Sequence, residues 1–459
     1  MSAFPYEGQF EIHRTLPEEG TDQHSVLEML TIMSTTENRV WESGQCSGTM
    51  YCGDHDHYDF LNEAFAKFSY VNTLQRDMCP SATKFEAEII AMTLDLMNAS
   101  ALEGSVPGGL VTSGGSGSIA HAMLAYREMN SSTTQRPNVI KPETAHPAFD
   151  KACHLFGIEL RVAPVDPLTT QVDLDWVKSN IDANTVALIG SAGNYGYGTL
   201  DPITELGAIA LEHEIGLHVD GCLGGFILPF GRELGYDIEP FDFAVPGVTT
   251  ISADTHKYGY ALKGTSVLCF ADQSLRNSQY FYRTDWSGGK YCSPGMDGSR
   301  SGGLLAATWA AMVHLGRSGY RRYAKEIFAT SAAMQDAVRS HDSLRIMGKP
   351  SFLFSFTSDE FDIYHVNDFL QTKGWRLNGE QYPNAIHMAV TRPQTQPGTV
   401  ERFTEDLADA VSYAKEHRGE KPKSGAIYGG VDGGPNDEAD AFIKMFMAAM
   451  MDQQSSIPV

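Results

Sequence analysis

The sequence has no apolar run approaching the roughly 18–20 residues that span a bilayer, so no transmembrane helix is expected. Its opening, MSAFPYEGQFEIHRTLPEEG, lacks a basic stretch followed by an apolar core, so no secretory leader is expected there. It has no cysteine pair at C-x-x-C spacing. The seven cysteines (Cys46, Cys52, Cys79, Cys153, Cys222, Cys269, Cys292) are odd in number and scattered. That argues against a disulfide framework or a zinc knuckle, and for a reducing, cytoplasmic compartment. Cations are scarce: 34 Lys and Arg stand against 57 Asp and Glu, a net charge of −23. Such a surface repels phosphate backbones and anionic lipid, and no Lys/Arg run offsets it, so neither nucleic acid nor a membrane surface is expected as a partner. Internal repeats and low-complexity blocks are also missing. What remains is an ordinary globular composition, 42% apolar and 20% charged, over 459 residues, enough for two or three domains.

The first 50 or so residues are polar and irregular, with one amphipathic patch near Val26–Met33, and read as a surface arm able to wrap a partner subunit. From about Lys67, helical patterns alternate with short apolar runs at Gly109–Thr112, Pro137–Ile140, Thr185–Ile189, Leu217–Val219 and Thr249–Ser252. Lys84–Asn98, Ile119–Glu128 and Leu200–Glu214 carry helical spacing. Strands alternating with helices predict an α/β domain with a mostly parallel sheet covered on both faces. After Gly302 the pattern changes to long helices mixed with strand-like Phe352–Phe356 and Ala385–Val390, a smaller α+β domain. Val400–Glu416 is amphipathic, with Val400, Phe403, Leu407, Val411 and Ala414 on one face, and a Met-rich helix is expected over Glu438–Met451. The expected division is an arm over 1–55, a large domain over 56–317 and a small domain over 318–459.

Three segments carry candidate chemistry. The first is Thr112-Ser-Gly-Gly-Ser-Gly-Ser118, between a strand and a helix. Its glycines, hydroxyls and the following helix N-terminus suit a phosphate. The same residues fit a turn with a helix cap. Gly115-x-Gly117-x-x-Ala120 also fits a loose dinucleotide fingerprint, with Glu143 as ribose acid. The second is Asp220, at the end of the apolar strand Leu217-His-Val, where open α/β sheets bind ligands. Alone it reads equally well as a cap for the next turn. The third is Lys257, after the apolar run ending at Ser252. A lysine desolvated there has a lowered pKa and a nucleophilic amine, although most lysines are solvated surface charges. Taken together in this order, a glycine loop, a strand-end Asp and a strand-end Lys are what a pyridoxal phosphate site needs. They offer a phosphate cradle, an anion for the pyridinium nitrogen and an amine for the Schiff base. Asp54-His-Asp-His57 has metal-ligand residue types, but contiguous spacing points its side chains apart, and no metal is expected. His146 reads either as a loop histidine or as a ring lying flat on an aromatic cofactor.

The motifs SGTMYCGD, VTSGGSGS, ETAHPAFDKA, GSAGNYGYGTLDPI, HVDGCLGGF, ISADTHKYGYALKG, DGSRSGG and AIYGG resemble those of the fold-type I pyridoxal phosphate enzymes of the group II decarboxylase kind. Within that kind the sequence is most similar to the sphingosine-1-phosphate lyases, from about Pro17 to Gly430. The resemblance implies that Lys257 holds pyridoxal 5'-phosphate and that Asp220 pairs with its ring nitrogen. His146 stacks on one ring face and Cys222 lies near the other. Gly115, Ser116 and His256 bind the cofactor phosphate. Gly298 and Ser299 reach it from a neighbouring subunit, so a homodimer with a shared site is implied. Tyr51, Asn72, Gln75, Lys263, Tyr195 and Tyr428 fall where the substrate is lined, with Tyr51 and Lys263 toward its phosphate and Lys257, Tyr195 or Tyr428 as the proton acceptor. Two departures stand out. Ser116-Gly117 replaces the usual Thr-Glu, and Gln75 replaces a histidine that helps bind the substrate phosphate; an amide donates a hydrogen bond but carries no charge. The implied activity is retro-aldol cleavage of a 2-amino-3-hydroxy substrate, phosphorylated or not, such as a long-chain base phosphate, with release of an aldehyde. The alternatives are amino-acid decarboxylation on the same scaffold and a catalytically silent binding homologue.

Overall fold

The structure, a computed structural model, describes residues 4–424 and 437–452. Short β-rich runs build a seven-stranded sheet from β1 (Gly108–Thr112), β2 (Asn138–Pro142), β3 (Glu159–Ala163), β4 (Thr185–Ser191), β5 (Gly216–Asp220), β6 (Thr250–Ala253) and β7 (Ser266–Phe270). Their order across the sheet is β1-β7-β6-β5-β4-β2-β3. Only β7 runs against its neighbours. All seven residues of β4 are buried, as a strand covered on both faces requires. Because six strands share one direction, their C-terminal ends lie along a single sheet edge, and the loops that follow them converge there.

A hairpin of β8 (Phe281–Arg283) and β9 (Tyr291–Ser293) stands apart from both sheets. The second sheet is antiparallel, in the order β10-β11-β13-β12, from β10 (Arg345–Ile346), β11 (Leu353–Thr357), β12 (Asn378–Glu380) and β13 (Ala385–Ala389). The helix Thr399–His417 covers it with Phe403, Leu407, Ala410, Val411 and Ala414. A 38-residue helix, Gly302–Arg339, joins the two sheets and breaks at Gly316, whose φ of +54° is non-helical. The N-terminal amphipathic patch forms the helix Gln23–Glu42, capped by the Asp22 carboxylate. The residues after it pack into the body: Cys46 bridges Arg376, and the Ser47 hydroxyl accepts from the Ala389 amide at 2.9 Å. The Met-rich helix spans Asp437–Met451. One helix start differs from expectation: the helix placed at Ile119 begins at Gly115, inside the glycine loop itself. Helix propensity disfavours glycine, so sequence periodicity alone puts the start too late.

Candidate active site

The glycine loop is shaped by backbone needs. Gly114 sits at φ +140°, which side chains rarely adopt. A Cβ on Gly115 would lie 2.7 Å from the Asp254 carboxylate and 2.9 Å from Cys222 Sγ, so only glycine fits. The helix Gly115–Met129 has no side-chain cap, which leaves its first-turn amides open for an anion. The Thr112 and Ser118 hydroxyls meet at 2.7 Å, and Ser118 meets Ser266 at 2.8 Å, pinning the loop to the mouth of β7. His256 is fixed beside it, its Nδ1–H donating to the Thr265 carbonyl at 2.6 Å.

Asp220 is the last residue of β5 and is buried. Its Oδ1 accepts from the Cys222 amide at 3.0 Å and from the Ser252 hydroxyl at 3.2 Å. On the same strand, His218 Nδ1 meets the Thr250 hydroxyl at 2.8 Å, and burial pushes that imidazole down to about 4. Burial opposes the charge on Asp220, but His218, the Cys222 donors and Lys257 outweigh it and leave the carboxyl below its ordinary range. An ionised carboxylate at this depth calls for a cationic or protonated partner.

Lys257 follows β6, the neighbour of β5 in the sheet. Its Nζ lies 2.8 Å from Asp254 Oδ2. This corrects the expectation of a lowered pKa: burial does push the amine down, but Asp254 outweighs it and the net shift is upward. The sequence pattern offered no reason to pair Lys257 with the Asp three residues before it rather than with solvent.

These groups open into one cavity of about 540 Å³. Asp220, Cys222, His256, Lys257, Gly115, Ser116, His146, Tyr51 and Tyr195 all line it. The His146 pKa is lowered, first by the protein around it. Tyr51 is pushed up to about 12 by burial and packs edge-on to Tyr258 at 5.0 Å. Lys263 is not among the residues lining this cavity; its Nζ sits 4.6 Å over the ring of Tyr51, which is. Sequence reasoning missed Asp254, Ser47, Asn378 and His387, which line the same cavity. His387 lies in an apolar strand and reads as core. Its ring packs 4.7 Å from that of Tyr195.

Asn72, Gln75, Gly298 and Ser299 are elsewhere. Asn72 Nδ2 donates to the Ser299 hydroxyl at 3.0 Å, and the Thr73 amide to the Arg300 carbonyl at 3.0 Å, so segments 71–75 and 298–302 form one unit. A small cavity of about 160 Å³ beside that unit shares Ser113 with the main one. Tyr428 lies outside the described residues. The residues of Asp54–His57 diverge: Asp54 caps the helix His55–Ala66, His55 meets Glu42 at 2.7 Å, and His57 meets the Tyr260 carbonyl at 2.8 Å.

A glycine cradle that a Cβ would fill, a buried acid and a half-buried amine on one cavity fit pyridoxal phosphate. Comparison with known proteins agrees. The family described as the pyridoxal-dependent decarboxylase conserved domain matches residues 9–354. A sphingosine-1-phosphate lyase of Dictyostelium discoideum is 41% identical, covering 93% of this chain and 80% of that protein. The solved structure of a Burkholderia pseudomallei sphingosine-1-phosphate lyase is 56% identical with a TM-score of 0.89, covering 91% of this chain and 96% of that one. A Lactobacillus brevis glutamate decarboxylase, 19% identical with a TM-score of 0.76, covering 90% of this chain and 97% of its own, shares the fold. The chain therefore belongs to the pyridoxal-dependent decarboxylase family, on its sphingosine-1-phosphate lyase branch.

Proposed function

We propose that this chain cleaves the carbon–carbon bond between the amine-bearing and hydroxyl-bearing carbons of a phosphorylated long-chain 2-amino-3-hydroxy base, releasing an aldehyde. The observation that carries the reading is the pair Asp220 and Lys257, at the ends of adjacent parallel strands and open to one cavity. Pyridoxal phosphate, when bound, supplies an electron sink for the bond broken at the amine-bearing carbon. Lys257 offers the amine for attachment. Asp220, ionised and fixed by the Cys222 amide, keeps a proton on the ring nitrogen. His146 and Cys222 border the ring, and the Gly115 and Ser116 amides with His256 take the phosphate. Tyr195 receives the proton of the substrate hydroxyl, a role Tyr428 is placed to share by motif. Tyr51 and Lys263 face the substrate phosphate.

Asn72, Gln75, Gly298 and Ser299 complete the site of a second copy in a homodimer. Their separation from the Lys257 cavity supports this, as do the exposed aromatic side chains of the neighbouring hairpin, Phe281, Tyr282 and Trp286. The break at Gly316 supports a boundary between large and small domains near residue 317. Seven unpaired thiols support a reducing, cytoplasmic setting.

The test follows aldehyde and carbon dioxide together while long-chain base phosphates and amino acids are offered. Aldehyde from the former, lost in Lys257→Ala along with the visible absorbance of the bound cofactor, is expected. Carbon dioxide from amino acids without aldehyde would overturn the reading in favour of a decarboxylase.

A further inference from the structure

Asp254 has no place in the roles assigned so far, yet it is the group in closest polar contact with Lys257. The turn after β6 folds back, with the Lys257 amide 3.3 Å from the Asp254 carbonyl, and brings the two side chains together at 2.8 Å. The carboxylate is 1% exposed, and apart from ion pairing neither oxygen accepts a hydrogen bond among the described residues. The Gly115 backbone also packs against it, too close for a Cβ. A carboxylate in such surroundings keeps its charge only if a cation answers it. His256 Nε2 is 3.7 Å away, farther than the Lys257 amine, and burial pushes that imidazole down, against its charged form. Lys257 is left as the answering cation.

We propose that Asp254 is a positioning residue that holds Lys257 as an ammonium while no cofactor is attached, so that this ion pair must open before pyridoxal phosphate is taken up. The inference rests on the cofactor reading above. In the step itself the ammonium gives one proton to solvent. The freed nitrogen lone pair bonds to the aldehyde carbon of the cofactor, and the aldehyde oxygen leaves as water with the two remaining nitrogen protons. No oxidant or reductant is needed. The other groups facing the amine do not supply the countercharge alone. The Cys222 thiol and the Tyr51 phenol are pushed up and stay neutral, and His146 is pushed down. Lys263 repels the amine, and Asp220 attracts it from β5.

The full chain is stripped of cofactor and remixed with excess pyridoxal phosphate. The growth of visible absorbance is followed by stopped flow from about pH 6 to about pH 9.5, a window that lies wholly below the deprotonation of a lysine held near or above its ordinary value. In the wild type the rate should climb about tenfold per pH unit without levelling, as the free-amine fraction does. In Asp254→Asn the curve should move down by at least about one pH unit, making attachment at pH 7 about tenfold faster. Coincident curves, or a shift to higher pH, would overturn the proposal. Should Asp254→Asn not fold, the wild type alone decides, because a plateau below about pH 8 excludes an ammonium held by Asp254. A wild type that develops no band, or a band surviving in Lys257→Ala, defeats the cofactor reading itself. A normal wild-type band with coincident curves defeats only the role of Asp254.

Discussion

Near neutral pH, Lys263 is a cation close to the end of its range. Burial of its stem, and in the cofactor-free chain the Lys257 charge, push it down to about 8, although the residue is exposed. The ammonium is therefore present below pH 8 and lost above it. If it meets the substrate phosphate, KM for a phosphorylated base should stay flat below pH 8 and rise above it. Lys263→Arg, charged at every such pH, should abolish the rise. An unphosphorylated base should show no such dependence, and steady-state kinetics with both substrates checks the point. The proposed place of Gln75 is against the same headgroup. If Gln75 reaches it, the amide gives a neutral bond where a histidine would give a charge-assisted one, roughly twice as strong. Gln75→His should lower KM for phosphorylated substrates below pH 6.5, where an ordinary imidazole is protonated, and leave unphosphorylated ones unchanged. No gain in that window would show that position 75 does not contact the phosphate.

The long helix Gly302–Arg339 would run straight through two domains but for Gly316, at φ 54° and ψ 177°. That region is nearly closed to residues with a Cβ and costs about 1–3 kcal/mol for them. A Cβ there meets nothing within 4 Å, so Gly316→Ala isolates the backbone effect. It should destabilise the chain by that amount in denaturant unfolding, whereas Gly398→Ala, at the αL position before the Thr399–His417 helix, should cost less. Gly115→Ala is the opposite case: its backbone is unstrained, but the methyl would press on Asp254. It should weaken pyridoxal phosphate binding at least about tenfold, read by spectral titration. The same elements explain what the sequence made legible. Apolar runs of three to five residues marked five of the six parallel strands, with β3 and the antiparallel β7 left unread, and one shared strand direction put their following motifs on one edge. The glycine loop, Asp220 and Lys257 were therefore readable from order alone. The glycine-rich first turn of the Gly115–Met129 helix was not, because its composition imitates a loop. His387 and Asn378 were not, because a second sheet brings them in. Nor was the Asn72–Ser299 bond, which joins residues 227 apart and leaves no periodic trace.

On the scale of the whole molecule, a net charge of −23 disfavours close approach of two copies unless apolar surface compensates. Such surface is present. Tyr282 is 74% exposed and Trp286 55%, on a hairpin directly preceding the 298–302 unit, and Tyr70 and Met78 flank segment 71–75. Large side chains of this kind, next in the chain to residues assigned by the proposed function to a neighbour's site, fit a two-fold interface in which each copy completes the other. This makes a prediction that a site confined to one chain cannot meet. Lys257→Ala removes the attachment amine, and Ser299→Glu sets a carboxylate where the neighbour's cofactor phosphate would lie; each variant alone should be inactive. In a heterodimer, one site would carry both lesions and the other would carry neither. Unfolding and refolding an equal mixture should therefore restore about a quarter of wild-type activity, because half of the dimers are mixed and each has one intact site. If the mixture stays inactive while sedimentation shows dimers, Ser299 acts within its own chain and the shared-site assignment of Asn72, Gln75 and Gly298 falls with it.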